Sequence, residues 1–223
     1  MKVSDAVASR RSIRAFTDQS VDADLLRAIL EKARRAPSGG NVQPWMASVL
    51  TGEPLSRLIA AVGERLAMGL MGLQPEYTIY PEKLPDPWMA RRREVASALY
   101  DAMGIARDDR SARDAAMADN FRGFGAPVLL FVHCPRLMGP PQWADMGIWL
   151  QSVMLLLREA GLDSCPQEAW AIYGKTVREA IGLGDEQILY CGLAIGWRDA
   201  DAAVNNFPVP RAPMEEVVRW FGF

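Results

Sequence analysis

Three arginines and two serines lie within six residues near the N-terminus, in the segment Ser9-Arg10-Arg11-Ser12-Ile13-Arg14. A guanidinium binds phosphate through paired hydrogen bonds, and a serine hydroxyl adds a short donor. Ile13 and Phe16 direct the segment toward the core, where a cation needs an anionic partner. Because no acidic residue follows before Asp18, a ligand phosphate is a candidate for that partner. The alternative is that these arginines form an ordinary basic helix end.

A second polar segment, Pro37-Ser38-Gly39-Gly40-Asn41-Val42-Gln43-Pro44-Trp45, follows within a helix length. Gly39 and Gly40 carry no Cβ, so the backbone can approach a ligand closely there. The amides of Asn41 and Gln43 both donate and accept hydrogen bonds, which suits the polar edge of a heterocycle. A simple turn between a helix and a strand is the alternative interpretation.

The segment Leu162 to Trp170 combines small residues with Pro166, which predicts exposed backbone beside the end of a buried helix. Glu168 could act there as a general base, although no second catalytic partner accompanies it. The chain has no GxGxxG motif after a strand, no P-loop and no GxSxG motif. These absences argue against a dinucleotide-binding Rossmann domain and against most hydrolases, and they fit a reaction whose chemistry a cofactor supplies.

The order of elements, without a repeat or a linker, predicts one α+β domain spanning residues 1–223, and the composition is that of a globular protein. Half of the residues are hydrophobic, 23% are charged and the net charge is −2, so neither nucleic acid nor an anionic membrane is an expected partner. Cys134, Cys165 and Cys191 are far apart, which favours buried thiols over a disulfide framework or a metal site. The single histidine, His133, follows a hydrophobic run and is expected to be structural. No signal region or membrane span is recognisable, so we expect a cytoplasmic protein.

The order of elements predicts helices around a few strands, without regular βαβ alternation. The helix over residues 142–160 is the most hydrophobic, which is typical of a central helix or a subunit interface. Ser4 is expected to cap the first helix, and Trp220 to lie in a short terminal helix. We predict helices at 4–11, 22–35, 55–71, 87–103, 107–119, 142–160 and 173–181, and strands at 45–50, 128–133 and 187–195.

Residues 74–120 form a predicted lid-like excursion, which begins with an irregular stretch rich in proline over 74–87. Tyr77, Tyr80 and Trp88 offer flat surfaces that could stack on an aromatic substrate. Packing of these rings onto the domain is the alternative. The neighbouring run Arg91-Arg92-Arg93 is interpreted as a solvated helix face, and contact with a partner or substrate is the alternative.

Five blocks of the sequence, in order, resemble those of the flavin-dependent nitroreductase family, and they span nearly the whole chain. The weaker likeness of residues 75–109 is to the subgroup acting on nitrobenzoate or dinitroaniline-type compounds. The blocks are RRSIRAF (10–16), APSGGNVQPW (36–45), GAPV (125–128), EAGL (159–162) and LAIGW (193–197).

The resemblance implies a nitroreductase-like fold with a mostly antiparallel sheet, and a homodimer with two FMN molecules at its interface, to which the apolar helix contributes. In that comparison, Arg10, Arg11, Ser12 and Arg14 hold the FMN phosphate, ribityl chain and pyrimidine edge. Pro37, Ser38, Gly39 and Asn41 reach the flavin from the partner subunit, and Gly40 lies beside the substrate. Pro166, Gln167, Glu168 and Ala169 lie behind the isoalloxazine, where many members have glycine at the position of Ala169. Arg211 matches a second phosphate ligand, and Arg122 a cation near flavin N1.

The implied activity is a two-step reaction in which NAD(P)H delivers hydride to flavin N5 and leaves, and a nitroaromatic or quinone then takes its place. Tyr80 and Trp88 are the expected acceptor-selecting side chains, and no metal is expected. Two alternatives remain on the same scaffold. One is a non-reductive flavin enzyme that fragments flavin, removes halogen or oxidises a ring; the other is a flavin-binding protein without turnover.

Overall fold

The computed structural model describes all residues 1–223 and is built around one four-stranded antiparallel sheet. The strand order is β1-β2-β4-β3. The strands are β1 (Met46–Thr51), β2 (Val128–Pro135), β3 (Asp163–Gln167) and β4 (Gln187–Gly196). The α+β class and the antiparallel sheet predicted from the sequence are therefore confirmed.

Eight α-helices surround the sheet, and short 3₁₀ turns connect several of them. None of these helices combines the length and the apolar character needed to cross a membrane. The helices are α1 (Val3–Ser9), α2 (Ala23–Ala33), α3 (Gly52–Ala67), α4 (Trp88–Ala102), α5 (Arg110–Ala118), α6 (Pro140–Glu159), α7 (Gly174–Ala180) and α8 (Met214–Val217).

Alternate residues of β2 feed two cores on opposite faces of the sheet. Leu130 and Val132 pack with the buried faces of α2 and α6, whereas Leu129 and Phe131 pack with α3 and α7. This division follows from the two-residue period of a strand. A strand buried on both faces reads as a continuous apolar run, which is why β2 was recognisable from sequence.

The segment 163–167 corrects a prediction, because it is a buried strand and not exposed backbone. β3 pairs with β4 from Asp163↔Gly196 to Gln167↔Gly192. Pro166 is tolerated because β3 is an edge strand, where a missing N–H breaks no ladder. The small residues at 163–166 gave no hydrophobic pattern, so the strand was missed.

Two smaller predictions about helix ends were also wrong. Ser4 does not cap the first helix, because Lys2 is the N-cap and Ser4 lies in the first turn. Trp220 lies beyond the last helix, which ends at Val217. Gly161 does end α6 as expected, with φ of +83°, a conformation that favours glycine.

The excursion over 74–120 is irregular at its start and between α4 and α5, and these two helices make up most of the rest. Its base is tied to the domain by Glu76, whose nearly buried carboxylate pairs with Arg136 and Arg178. The backbone N–H of Glu76 donates to Ala171 O at 2.9 Å. These contacts fix where the excursion leaves the sheet.

Candidate functional site

Arg10, Arg11, Ser12, Arg14 and Arg211 line one cavity of about 400 Å³. The predicted phosphate-binding residues from the two ends of the chain therefore lie together. Val95 of α4 and the residues Asn205 and Phe207 complete much of its wall. The cavity is thus shared by the N-terminal segment, the excursion and the C-terminal tail.

The N-terminal segment is held against the sheet by backbone pairing and by one buried side chain. Ser12 forms a parallel bridge with Ser164 of β3, and Ile13 N–H donates to Ser164 O at 3.1 Å. Ile13 is completely buried. Since burial of such a side chain contributes about 1.5–3 kcal/mol, Ile13 anchors the arginines on either side of it.

Asn205 connects this segment to the tail and is buried. Its Oδ1 accepts from Arg14 N–H at 2.7 Å, and its Nδ2 donates to Ala15 O at 2.9 Å and Asp199 O at 2.8 Å. The backbone carbonyl of Asn205 also accepts a hydrogen bond from the Arg11 guanidinium. All the polar groups of this side chain are therefore used to shape the backbone that carries the arginines.

The four guanidiniums of the cavity have no carboxylate partner, unlike most others in the molecule. Burial and the charge of Arg211 lower the pKa of Arg10, which means that the charged form of Arg10 is disfavoured here until an anion is present. The donor set suits a phosphate, which accepts charge-assisted hydrogen bonds from several guanidiniums. Arginines that do pair with a carboxylate are Arg27, Arg34, Arg57, Arg91, Arg122, Arg136, Arg158, Arg178 and Arg198.

The loop over 37–43 is held in an uncommon backbone conformation. Gly40, Asn41 and Gln43 have φ of +56°, +56° and +50°, which is favourable for glycine and tolerated by asparagine. Gln43 N–H donates to Ser38 Oγ at 2.9 Å. Asp145 of α6 accepts from Gly39 N–H at 3.2 Å and fixes the loop to the central helix.

This loop does not line the arginine cavity of its own chain. Pro37 and Asn41 line a different cavity, together with Arg34 and Gln43. Pro37, Gly39, Gly40 and Asn41 are all exposed. Within one protomer the two groups of predicted cofactor residues thus face separate spaces.

Pro166 and Gln167 end the edge strand β3, and Glu168 and Ala169 begin the 3₁₀ segment that follows it. Gln167 is buried and fully engaged, since its Nε2 donates to Asn120 O at 2.7 Å and its Oε1 accepts from Trp170 Nε1 at 3.2 Å. Glu168 reaches solvent and has no ion-pair partner, and partial burial raises the pKa of its carboxyl. Ala169 is half-buried against the core that Leu129 and Phe131 form with α3 and α7.

The excursion's aromatic side chains divide into packed and exposed groups. Tyr77 contacts Trp143 edge-on, with ring centres 5.1 Å apart, and its hydroxyl donates to Tyr190 O. Tyr80 and Trp88 remain about half exposed, at 48% and 55%. Tyr80 stacks against Arg92, whose Cζ lies 4.2 Å from the ring centre. Tyr77 is therefore a packing residue, whereas Tyr80 and Trp88 keep free surface.

The remaining predicted residues take structural positions of their own. Arg122 lies in the 3₁₀ segment 119–125 and pairs with Asp119, and it does not line the arginine cavity. His133 is buried with ring contacts to Ser48 and Gln187, and burial lowers its pKa, as expected of a neutral structural histidine. The three cysteines are free and buried, as predicted.

Sequence reasoning missed Asn205 and Asp145, which support the two candidate segments. Asp145 had a usable signal, because it is the only acidic residue of α6 before Glu159. The sequence signal of Asn205 was weak, because asparagine is common in irregular segments and does not by itself indicate a role. Both act through distant backbone groups, which no local pattern reveals.

Comparison with known proteins agrees with this architecture. Residues 7–197 match the profile of the Nitroreductase family. The chain is 37% identical to the chloronitrobenzene nitroreductase of Comamonas testosteroni, over 96% of this chain and 94% of that one. Two solved structures cover 99–100% of this chain and all of their own chains. They are the FMN and NADPH-dependent nitroreductase NfnB from Sphigopyxis sp. strain HMH, with 61% identity and a TM-score of 0.99, and NfnB from Mycobacterium smegmatis in complex with NADPH, with 31% and 0.91. This chain belongs to the nitroreductase family.

Proposed function

We propose that this protein is an FMN-dependent NAD(P)H nitroreductase that reduces nitroaromatic compounds, with quinones as further acceptors. The observation that carries the proposal is the cavity of about 400 Å³ around four guanidiniums that have no carboxylate partner. The names of the relatives described above support FMN, NADPH and nitroaromatic substrates as its ligands. The single domain over 1–223 is part of the same proposal.

Bound FMN would supply the redox step, accepting a hydride from NAD(P)H and passing it to the acceptor that next occupies the same place. The chain's own residues bind and orient it. Arg10 and Arg211 hold the phosphate, and phosphate binding offsets their mutual repulsion. Ser12 and Arg14 line the same cavity and hold the ribityl chain and the pyrimidine edge. No side chain need carry the hydride, so the single structural histidine is no obstacle.

Residues 166–169 and Arg122 belong to the ring end of this proposed site. The buried, doubly hydrogen-bonded Gln167 fixes the backbone around Pro166, Glu168 and Ala169, which we propose lies behind the flavin ring. Ala169 adds a methyl group where many family members have glycine, and this narrows the space on the substrate side. Arg122 would leave Asp119 to approach flavin N1 and stabilise negative charge there.

We propose that the working unit is a homodimer. Pro37, Ser38, Gly39 and Asn41 would complete the FMN site of the partner, and Gly40 would lie beside the substrate. The support is that this exposed loop, which is fixed through Asp145, does not line its own chain's arginine cavity and lines a separate one. Ile148 is an exposed apolar side chain on α6, and it provides apolar surface on that helix for a subunit contact.

The test is anaerobic spectroscopy of the purified holoprotein. NADPH or NADH should bleach the absorbance of the bound flavin, and a nitroarene added afterwards should restore it with stoichiometric loss of the nitro compound. A non-reductive flavin enzyme would not be bleached rapidly by either nucleotide. A binding protein without turnover would show no steady NAD(P)H consumption with the nitroarene. Either result would refute the proposal.

A further inference from the structure

A second group of arginines without carboxylate partners surrounds another depression on the excursion. Arg107, Arg110 and Arg113 line an open cavity of about 470 Å³, together with Tyr100, Asp114 and Met117. Arg113 is held in place, since its Cζ lies 4.4 Å from the ring centre of Tyr100 and its NH1 donates to Arg107 O at 3.0 Å. Arg107 and Arg110 are exposed and their side chains make no ion pair. We call this depression the outer arginine site.

A small, mostly apolar cavity of about 60 Å³ shares lining residues with the outer arginine site and with the arginine cavity that is proposed to hold FMN, which we call the FMN cavity. Arg14 borders the FMN cavity and this small cavity. Tyr100 and Met117 border the small cavity and the outer arginine site. On α4, Val95 lines the FMN cavity and Tyr100 lines the outer site about 7.5 Å further along the helix. The three cavities therefore lie side by side, and we call this row of cavities the groove.

The charges at the outer site suit a terminal phosphate. A phosphate monoester carries nearly two charges and three acceptor oxygens, so it can engage several guanidiniums at once. Asp114 lines the same cavity and would repel that phosphate. This repulsion would keep the affinity moderate, which suits a substrate that has to dissociate after each turnover. A ligand that reaches from the flavin to this site must be long, with an anion at its far end.

Resting on the proposed function, we infer that Arg107 and Arg110, with Arg113, bind the 2′-phosphate of NADPH and so select NADPH over NADH. The nicotinamide end would lie at the Arg14 end of the groove, and the 2′-phosphate at the open end. Arg113 supports the site, because it is fixed against Tyr100. Arg107 and Arg110 supply the free donors.

The test uses the holoenzyme with Arg107→Gln and Arg110→Gln, singly and together. These exposed side chains can be removed without opening a core, and loss of a cation at the N-terminus of α5 does not weaken that helix. The KM for NADPH should rise about tenfold in the double variant, while the KM for NADH and both kcat values stay the same. Calorimetric titration with adenosine 2′,5′-bisphosphate and with AMP gives a readout independent of activity, and only the former should weaken.

Two variants serve as controls. Arg27→Gln removes an exposed charge that pairs with Asp24 and lines none of the three cavities of the groove, and it should change neither KM. Asp114→Asn removes the opposing charge and should lower the KM for NADPH alone.

The inference is overturned if the wild-type enzyme does not prefer NADPH, or if the double variant raises the KM for both nucleotides equally, as a pyrophosphate site would. It is equally overturned if only the KM of a carboxylated nitroarene changes. In each case flavin reduction itself persists, so the proposed function survives. Failure of the proposed function would instead appear as no flavin reduction by any nucleotide in the unmodified protein.

Discussion

Arg10 illustrates how single residues in this site oppose stability in favour of binding. Its guanidinium is partly buried and faces the like charge of Arg211, and both effects lower its pKa. A cation whose pKa is lowered by folding destabilises the folded chain wherever it is charged, which for arginine means all ordinary pH. Phosphate reverses the sign of this effect, because it supplies the missing counter-charge.

Arg10→Ala should therefore act in opposite directions on the two forms of the protein. FMN affinity should fall about tenfold or more, since a charge-assisted hydrogen bond contributes roughly 1.5–3 kcal/mol. The thermal midpoint of the apoprotein should stay the same or rise. Flavin reduction at saturating FMN should persist, because the phosphate lies far from the reacting ring. A variant with normal FMN affinity and lost reduction would contradict the assignment.

Asn205→Ala should destabilise the apoprotein by about 2 kcal/mol, because it leaves the Arg14 N–H and the partly buried Asp199 carbonyl without partners and leaves the Ala15 carbonyl with only the Asp199 N–H. FMN affinity should fall as well, although Asn205 carries no charge. Chemical denaturation and flavin titration measure the two effects. Asn206→Ala is the matched control, since the exposed Asn206 bonds only to nearby carbonyls, and it should have little effect. Equal effects from both variants would exclude a specific role for Asn205.

At the scale of elements, the excursion combines a fixed base with a free upper part. Glu76 and Tyr77 tie its start to the domain. Tyr80, Trp88 and the outer face of α4 remain exposed. The upper part is expected to open locally more readily than the base, because few buried contacts hold it. An element with a rigid base and an adaptable wall is suited to selecting ligands.

Replacement of Tyr80 and Trp88 by leucine tests that role. If these rings select the acceptor, kcat/KM for a series of nitroarenes should change rank order, while the rate of flavin reduction by NADPH stays the same. Tyr77→Leu provides the contrast. Because Tyr77 packs against Trp143, its replacement should lower the stability of the protein and all of the rates together. An unchanged rank order for Tyr80 and Trp88 would identify them as packing residues.

At the scale of the whole molecule, the separation of the loop from the arginine cavity makes a shared site testable. In co-expressed mixed dimers of Arg10→Ala and Asn41→Ala chains, one site would carry both defects and the other none. Such dimers should bind half the normal amount of FMN with unchanged affinity. If each site were formed by one chain, both sites would be impaired. Sedimentation of the holoprotein as a monomer at micromolar concentration would also refute the shared site.

The buried thiols predict loss of stability at alkaline pH. Burial raises the pKa of Cys165 to about 11 and also raises those of Cys134 and Cys191. Unfolded thiols ionise near pH 8.5–9, whereas the folded ones stay neutral, so the stabilising contribution is complete below that range and is lost as pH rises toward 11. The urea concentration at the unfolding midpoint should decrease as the pH rises from 8.5 to 10.5. Cys165→Ala should make this decrease with pH smaller. An unchanged slope would mean that other groups cause the loss.

The sequence by itself determined the elements whose side chains repeat with a clear period. The double-faced apolar run of β2, the amphipathic α2 and the apolar α6 were predictable, because burial imposes that period on the residues themselves. The chemistry of the Arg10–Arg14 segment was also predictable, since no carboxylate lies beside it in the chain.

Only the tertiary structure decided what these residues contact. It brought Arg211 to Arg10, joined Asn205 to Arg14, and fixed the loop through Asp145. It also made a strand of 163–167, whose small residues have no apolar period and pair only because β4 presents a free edge. The contact between Asn205 and Arg14 alone joins residues 191 positions apart, and such contacts depend on which elements pack together and not on any local pattern.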